Sequence, residues 1–249
     1  MSSAESAAAA PRPDGRALDQ LRAVRLEPAV SANAEGSALI AMGGTRVLCA
    51  ASVENRVPPH RRGTGGGWVT AEYAMLPRAT VQRTPRERGG HLGARSQEIQ
   101  RLIGRSLRSA VDLAALGERT VIIDCDVLEA DGGTRAAAVT GGWLALHAAC
   151  RRLQAARLVR RDPIRRQVAA VGVGLVAGRA CLDLDYREDL VADTDLTVVG
   201  TDDGRLVEVQ GTAEGEPFSR AELDRLLELA WGGVAELIRL QRAAIADAP

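Results

Sequence analysis

Residues 128–139, LEADGGTRAAAV, carry an apolar alternation into two glycines, place Thr134 and Arg135 directly behind them and run on into helix-forming alanines. Upstream, from Glu118 to Ala130, Val121, Ile123, Cys125 and Val127 share one face of a strand while Asp124 and Asp126 take the other. Downstream, Thr134 to Leu153 is small and apolar nearly all round, as a helix buried between two layers must be. The period therefore switches from 2 to 3.6 across Gly132-Gly133, which predicts a strand, a tight turn and a helix with Thr134 as its N-cap. The first turn of a helix exposes unpaired amides and a partial positive charge, so this opening favours an anion, and the glycines let the anion come close to the backbone. Arg135 adds a cation. An ordinary capped turn accounts for Gly-Gly-Thr taken alone.

A second helix start repeats the logic and shifts that balance. Gly93-Ala94-Arg95-Ser96 combines a glycine, an arginine and, in Ser96, a candidate N-cap for a helix from Ser96 to Leu116. That helix puts Ile99, Leu102, Ile103, Ala110 and Val111 on one side and a stripe of Arg101, Arg105 and Arg108 on the other. Neither helix start has the lysine and glycine spacing of a Walker loop, which disfavours nucleotide hydrolysis of that kind.

The remaining elements read as hairpins and a terminal helix. Ser37 to Glu54 turns at Gly43-Gly44, Gln167 to Asp185 at Ala177-Gly178 and Asp195 to Gly211 at Asp203-Gly204. Ser219-Arg220-Ala221-Glu222 is a capping box opening a helix to about Ala244, whose leucine face must pack on a sheet. The order implies an α+β fold of two loosely similar halves, with residues 1–11 a flexible tail, 12–246 a single domain and 247–249 a C-terminal tail. Arg61 to Ala94, bracketed by glycine runs and rich in arginine, reads as a functional loop or a surface awaiting a partner.

Between the second and third hairpins, Asp183 to Asp195 packs six acids into thirteen residues. Most such runs serve solubility. Here strands flank the run, so its carboxylates stand at strand ends, where one or two of them can hold Mg²⁺ while substrate phosphates complete the shell. An arginine-lined phosphate seat and a carboxylate metal site together describe phosphoryl transfer on a nucleic acid.

Bulk properties set the outer limits. The chain has 249 residues, 46% hydrophobic and 26% charged, ordinary for a globular protein and unlike a disordered or membrane-embedded one. Net charge is zero, yet Glu54 to Arg108 holds eleven arginines against four acids, and Asp183 to Glu228 fourteen acids against four arginines. A polyanion partner is therefore compatible with a neutral whole. The four cysteines stand singly in apolar runs and read as core residues in a reducing compartment. Without a secretion-type leader or a run of transmembrane length, the expected location is the cytoplasm. His60, His91 and His147 lack a nucleophile partner, and Trp68, Tyr73 and Phe218 read as packing residues too few to form a stacking platform.

Six stretches, RPDGR (12–16), AEGSALIAMGGTRVLCAASV (34–53), GWVTAEYAMLPRAT (67–80), RSQEIQRLIGRSLR (95–108), DCDVLEADGGTRAAA (124–138) and EVQGTAEGEPFS (208–219), make the chain resemble the ribonuclease PH family from about Arg12 to Ala244. The resemblance implies that family's fold, mixed sheets with helices packed between and on them. It also implies phosphate-dependent 3′-to-5′ trimming of tRNA precursors and other RNA, with release of nucleoside diphosphates. Carried onto this sequence, it places the attacking phosphate on Arg95, Gly133, Thr134 and Arg135, and the catalytic, Mg²⁺-binding aspartates on Asp189 and Asp195. It further implies a homohexameric ring, a trimer of dimers, whose basic loops meet RNA. Arg83, Arg86 and Arg88, with Arg101 and Arg105 of the stripe, are the candidate RNA contacts. A non-catalytic RNA-binding ring subunit of the same fold is the main rival, and a metal-only hydrolytic nuclease, which leaves both helix-start arginines without a purpose, is the other.

Overall fold

The computed structural model describes residues 12–87 and 92–247; Arg88, Gly89, Gly90, His91, the N-terminal tail 1–11 and Ala248-Pro249 lie outside the described residues. Among the described residues nine strands form two sheets. Strands β1 (Val24–Pro28), β2 (Gly36–Met42), β3 (Thr45–Glu54), β4 (Trp68–Met75) and β5 (Thr120–Glu129) make the first, in the order β1-β2-β3-β5-β4. Strands β6 (Val168–Val176), β7 (Arg179–Leu182), β8 (Thr194–Thr201) and β9 (Leu206–Ala213) make the second, in the order β7-β6-β8-β9. All pairings are antiparallel except β4 with β5, which runs parallel from Trp68↔Thr120 to Met75↔Val127.

Among the described residues five α-helices complete the layers: α1 (Ala94–Ser109), α2 (Leu113–Leu116), α3 (Thr134–Ala155), α4 (Tyr186–Asp189) and α5 (Arg220–Ala246). Helix α3 touches β2 and β3 on one side and β6 on the other, and α1 lies against β4 and α3. Helix α5 covers the outer side of β6, β7 and β8. Of the 22 residues of α3, fifteen are buried, so its lack of an apolar stripe follows from having protein on every side. One buried apolar cluster runs from Ala38 in the first sheet through α1 and α3 to Ile238 in α5. Among the described residues no helix is long and apolar enough to cross a membrane.

The three expected hairpins and the Ser219 capping box are all present, Ser219 accepting from the Glu222 amide. Five sequence expectations need correction. The helix foreseen from Ser96 to Leu116 stops at Ser109: Val111 bridges to Ile164 instead, and Asp112 caps the separate turn α2 by accepting from Ala114 and Ala115. Ser96 is not an N-cap. Gly93 holds that position, and the Ser96 hydroxyl donates to Glu87 at 2.9 Å. Thr134 is likewise the first residue inside α3, with Gly133 as N-cap at φ 67°. Finally, Arg61 to Ala94 is not wholly loop, because Val69, Ala71 and Tyr73 bury one face of β4. Arg108 also leaves the arginine stripe: its guanidinium donates to the Val69 carbonyl at 2.8 Å and lies over the Trp68 ring at 4.4 Å.

Close helix–sheet approach rests on small residues. A Cβ on Gly36 would fall against the Ala145 carbonyl oxygen and 2.6 Å from the Ala149 amide nitrogen, backbone that cannot yield, and 2.9 Å from the Ala148 Cβ. Gly36→Ala is expected to cost about 2–4 kcal/mol, on the scale of severe core overpacking. By contrast a Cβ on Gly232, inside α5, meets nothing within 4 Å. Gly232→Ala should therefore gain about 0.5–1 kcal/mol from helix propensity. Denaturant midpoints of the two variants check both signs.

Candidate active site

The anion seat is built by its turn. Gly132 and Gly133 both adopt positive φ, 75° and 67°, a conformation that costs any residue with a side chain. Together they swing the chain from the end of β5 into α3, and no side chain caps the first turn that results. Its amides are thus left for a ligand. A Cβ on Gly132 would lie 2.8 Å from the Leu184 carbonyl oxygen and 3.0 Å from the Tyr186 nitrogen, so the turn rests directly on the acidic segment.

All six residues assigned to chemistry line one cavity of about 500 Å³: Arg95, Gly133, Thr134, Arg135, Asp189 and Asp195. Arg95 is the second residue of α1 and Arg135 the second of α3, so two helix openings converge there. On the facing sheet, Asp195 pairs with Thr212 and Thr197 with Gln210 across β8 and β9, and all four line the same cavity. The candidate RNA contacts Arg83, Arg86, Arg101 and Arg105 lie outside it and are exposed, and Arg105 is paired to Glu208 at 2.8 Å. Arg88 falls outside the described residues.

Several residues that the sequence did not single out hold this cavity in shape. Arg135 donates to Gln210 Oε1 at 3.1 Å and meets Glu98 Oε1 at 3.5 Å, while Gln210 Nε2 donates to the same Glu98 oxygen at 2.6 Å. This triangle joins α3, β9 and α1, and Glu98 stands one helical turn beyond Arg95. Tyr73 is not only a packing residue. Its hydroxyl shares a 2.8 Å hydrogen bond with the Thr134 hydroxyl, and burial pushes its pKa up despite that bond. No local pattern marks Gln210 or Tyr73, because their role comes from sheet register alone.

The six acids of 183–195 divide by partner. Asp183 binds Arg22, Glu188 binds Arg12 through two 2.7 Å contacts, and Asp185 caps α4 and pairs with Arg187 at 2.7 Å. Arg12 also donates to the Asp183 carbonyl at 3.2 Å, and Arg16 to the same oxygen at 3.1 Å. The 12–16 segment is therefore a clasp over α4. Of the other three, Asp193 is exposed and outside the cavity, while Asp189 and Asp195 line it. Asp189 is open to its solvent, yet the protein around it hinders solvation of the charge and Asp195 repels it. Its pKa rises even though Arg95 and Arg135 pull the other way.

Two mutually repelling hard oxygen donors beside an anion seat suit Mg²⁺, which takes one or two carboxylates and fills its shell from water and substrate phosphate. Among the described residues no group of three or more His, Cys, Asp or Glu side chains is arranged to hold a metal ion.

Two family models match the chain: the first domain of the 3′ exoribonuclease family over residues 20–151, and its second domain over residues 166–233. A ribonuclease PH of Methylorubrum populi is 57% identical over 94% of this chain and 100% of its own. One of Cereibacter sphaeroides is 57% identical over 94% of this chain and 99% of its own. In three dimensions, a chain of the Archaeoglobus fulgidus exosome with RNA bound to the active site superposes with a TM-score of 0.80, at 26% identity over 92% of each chain. Rice Rrp46 superposes with a TM-score of 0.72 at 19% identity over 93% of this chain and 98% of its own, a likeness that bears on fold alone.

The raised pKa of Asp189 fixes the sign of a stability effect. A carboxylate whose pKa is higher in the folded state favours folding below its unfolded value, about 4, and that contribution is lost as pH rises through the folded value. Near pH 7.5 the ionised Asp189 therefore opposes folding. Asp189→Asn should raise the thermal midpoint in phosphate- and metal-free buffer at pH 7.5, and the gain should vanish near pH 4. Scanning calorimetry at the two pH values measures it.

Proposed function

The chain belongs to the 3′ exoribonuclease family that includes the bacterial ribonucleases PH, and on that premise we propose that it is a phosphorolytic 3′-to-5′ exoribonuclease acting on RNA, tRNA precursors included. The observation that carries this reading is the convergence of both helix-start arginines and both aspartates on one cavity. Inorganic phosphate is the second substrate. Arg95, Arg135 and the open amides of α3 neutralise it and aim one oxygen at the terminal phosphodiester. A new P–O bond forms to the 5′-phosphate of the last nucleotide as the bond to the preceding ribose 3′ oxygen breaks, and a nucleoside diphosphate leaves. The reverse reaction adds nucleotides.

The departing 3′ oxygen needs a proton, and monohydrogen phosphate carries one that the diphosphate can give up, so the transfer is balanced within the site. Asp189, whose pKa is raised, is suited to pass it. Asp189 and Asp195 would hold Mg²⁺, which when bound supplies charge neutralisation for the phosphoryl oxygens. Arg83, Arg86, Arg88, Arg101 and Arg105 are the proposed contacts to the body of the RNA, their charge serving affinity more than chemistry. Assembly as a homohexameric ring, a trimer of dimers, in the cytoplasm belongs to the same proposal.

A non-catalytic ring subunit would have no use for an arginine-lined phosphate seat opposite two aspartates. A hydrolytic nuclease would use the acids but not the seat. Incubation of RNA with and without phosphate separates these readings: diphosphates appear only with phosphate in the proposed enzyme, monophosphates in a hydrolase, and no product in an inert subunit. Arg95→Ala and Arg135→Ala should each raise the phosphate requirement and lower turnover by about 10²–10³, the scale for loss of one preorganised charge donor. Asp195→Ala should abolish turnover while RNA still binds in a filter assay. An unchanged phosphate titration for Arg135→Ala would refute the seat.

A further inference from the structure

Arg22 lies just before β1, and its side chain is only 4% exposed. Its guanidinium packs against Gly133, where an added Cβ would fall 3.0 Å from Arg22 Nη2, and it meets both halves of the site. On one side its guanidinium donates to the carbonyls of Asp131 and of Gly132, the latter at 3.4 Å, the two peptides immediately before the α3 opening. On the other it grips Asp183 through Nε at 3.0 Å and Nη2 at 2.7 Å, and the Arg22 amide adds a third bond to that carboxylate at 2.9 Å. Asp183 starts the segment that carries Asp189, has φ 53°, and ties back through its amide to the carbonyl of Gly172, itself a cavity residue.

We propose that Arg22 is a positioning residue for phosphorolysis, setting the distance and tilt between the phosphate seat and the Asp189 carboxylate. The inference rests on the proposed phosphorolytic reading. Only a planar fork can serve both sides at once. A guanidinium directs its N–H groups along fixed lines, so two bonds to Asp183 predetermine where the remaining N–H groups meet the 131–132 carbonyls. Those carbonyls share their peptide planes with the Gly132 and Gly133 amides, so rotation of the two peptides would turn the chain leading into α3 and, with it, the open first-turn amides. The surroundings reinforce the same joint. Thr45 donates to the Gly132 carbonyl at 2.6 Å and accepts from the Asp131 amide at 2.8 Å, and Gly132 lies against the Leu184 and Tyr186 backbone. In-line attack is sensitive to displacement on the scale of 1 Å, so a joint that fixes the nucleophile relative to the proton carrier bears directly on turnover.

The test uses the full-length protein with RNA and inorganic phosphate, comparing Arg22→Lys and Asp183→Asn with Asp112→Asn. Asp112 caps α2 and pairs with Arg161 and Arg165, does not line the cavity, and controls for loss of stability without loss of the joint. Arg22→Lys keeps the charge and loses the fork. The expected result is a kcat lowered by on the order of 100-fold at saturating phosphate, with RNA affinity unchanged, at a temperature where thermal melts show every protein folded. Asp183→Asn should shift kcat in the same direction. If both variants match Asp112→Asn in kcat and phosphate KM, or if both fail to fold, Arg22 is a structural residue only and the proposal is overturned. Should Arg22→Lys alone fail to fold, Asp183→Asn decides. Failure of the parent protein to release diphosphates refutes the phosphorolytic reading itself, a different outcome from parent activity with insensitive variants.

Discussion

The first turn of α3, opened by two glycines in the left-handed region and capped by no side chain, is the constraint on which the molecule is organised. A buried helix with unpaired amides at its start is costly unless something occupies them, and in this chain the start faces a cavity with Arg95 and Arg135 on its wall. The long buried body of α3 locks the opening in place, because a helix packed on both sheets cannot tilt without disturbing the whole core. Stability invested in one central element thus fixes the direction of two or three N–H groups.

Charge is spent in two distinct ways around that opening. Arg12, Arg16 and Arg22 are almost wholly buried and are matched to Glu188 and Asp183, where loss of one partner would strand a charge at a cost of about 3–5 kcal/mol. Arg95, Asp189 and Asp195 instead border the cavity, and the raised pKa of Asp189 marks a group whose surroundings are arranged against its own charge. The first set holds the backbone; the second is free to meet substrate. Exchanging the two roles would leave either an unsatisfied core or a neutralised site.

Much of this was legible in the chain before any coordinates. The switch from period 2 to period 3.6 at Gly132-Gly133 locates β5, the turn and α3, and the arginine following each helix start points to the cavity wall. The hairpins follow from their glycine turns, Ala177-Gly178 both taking positive φ. Less visible was anything set by register or distance. β4 is hard to read because an edge strand between glycine runs resembles loop, and its parallel partner β5 lies 52 residues away at Trp68↔Thr120. The N-caps were misplaced by one residue at Thr134 and by three at Ser96, since hydroxyl residues inside a first turn resemble caps in sequence. Gln210, Glu98 and Tyr73 lie within stretches that carry the family resemblance, but no period or cap marks their role, and Arg22 lies outside those stretches: the role of each is set by what it touches.

The central claim is that an inorganic oxyanion sits on the amides of the α3 opening between Arg95 and Arg135. Anomalous diffraction from crystals soaked in arsenate, a phosphate mimic with a locatable heavy atom, tests it most directly. The account predicts a peak within hydrogen-bonding reach of the Thr134 and Arg135 amides and both guanidinium groups. A saturated soak with no peak there, or with the peak on another face of the protein, would contradict it.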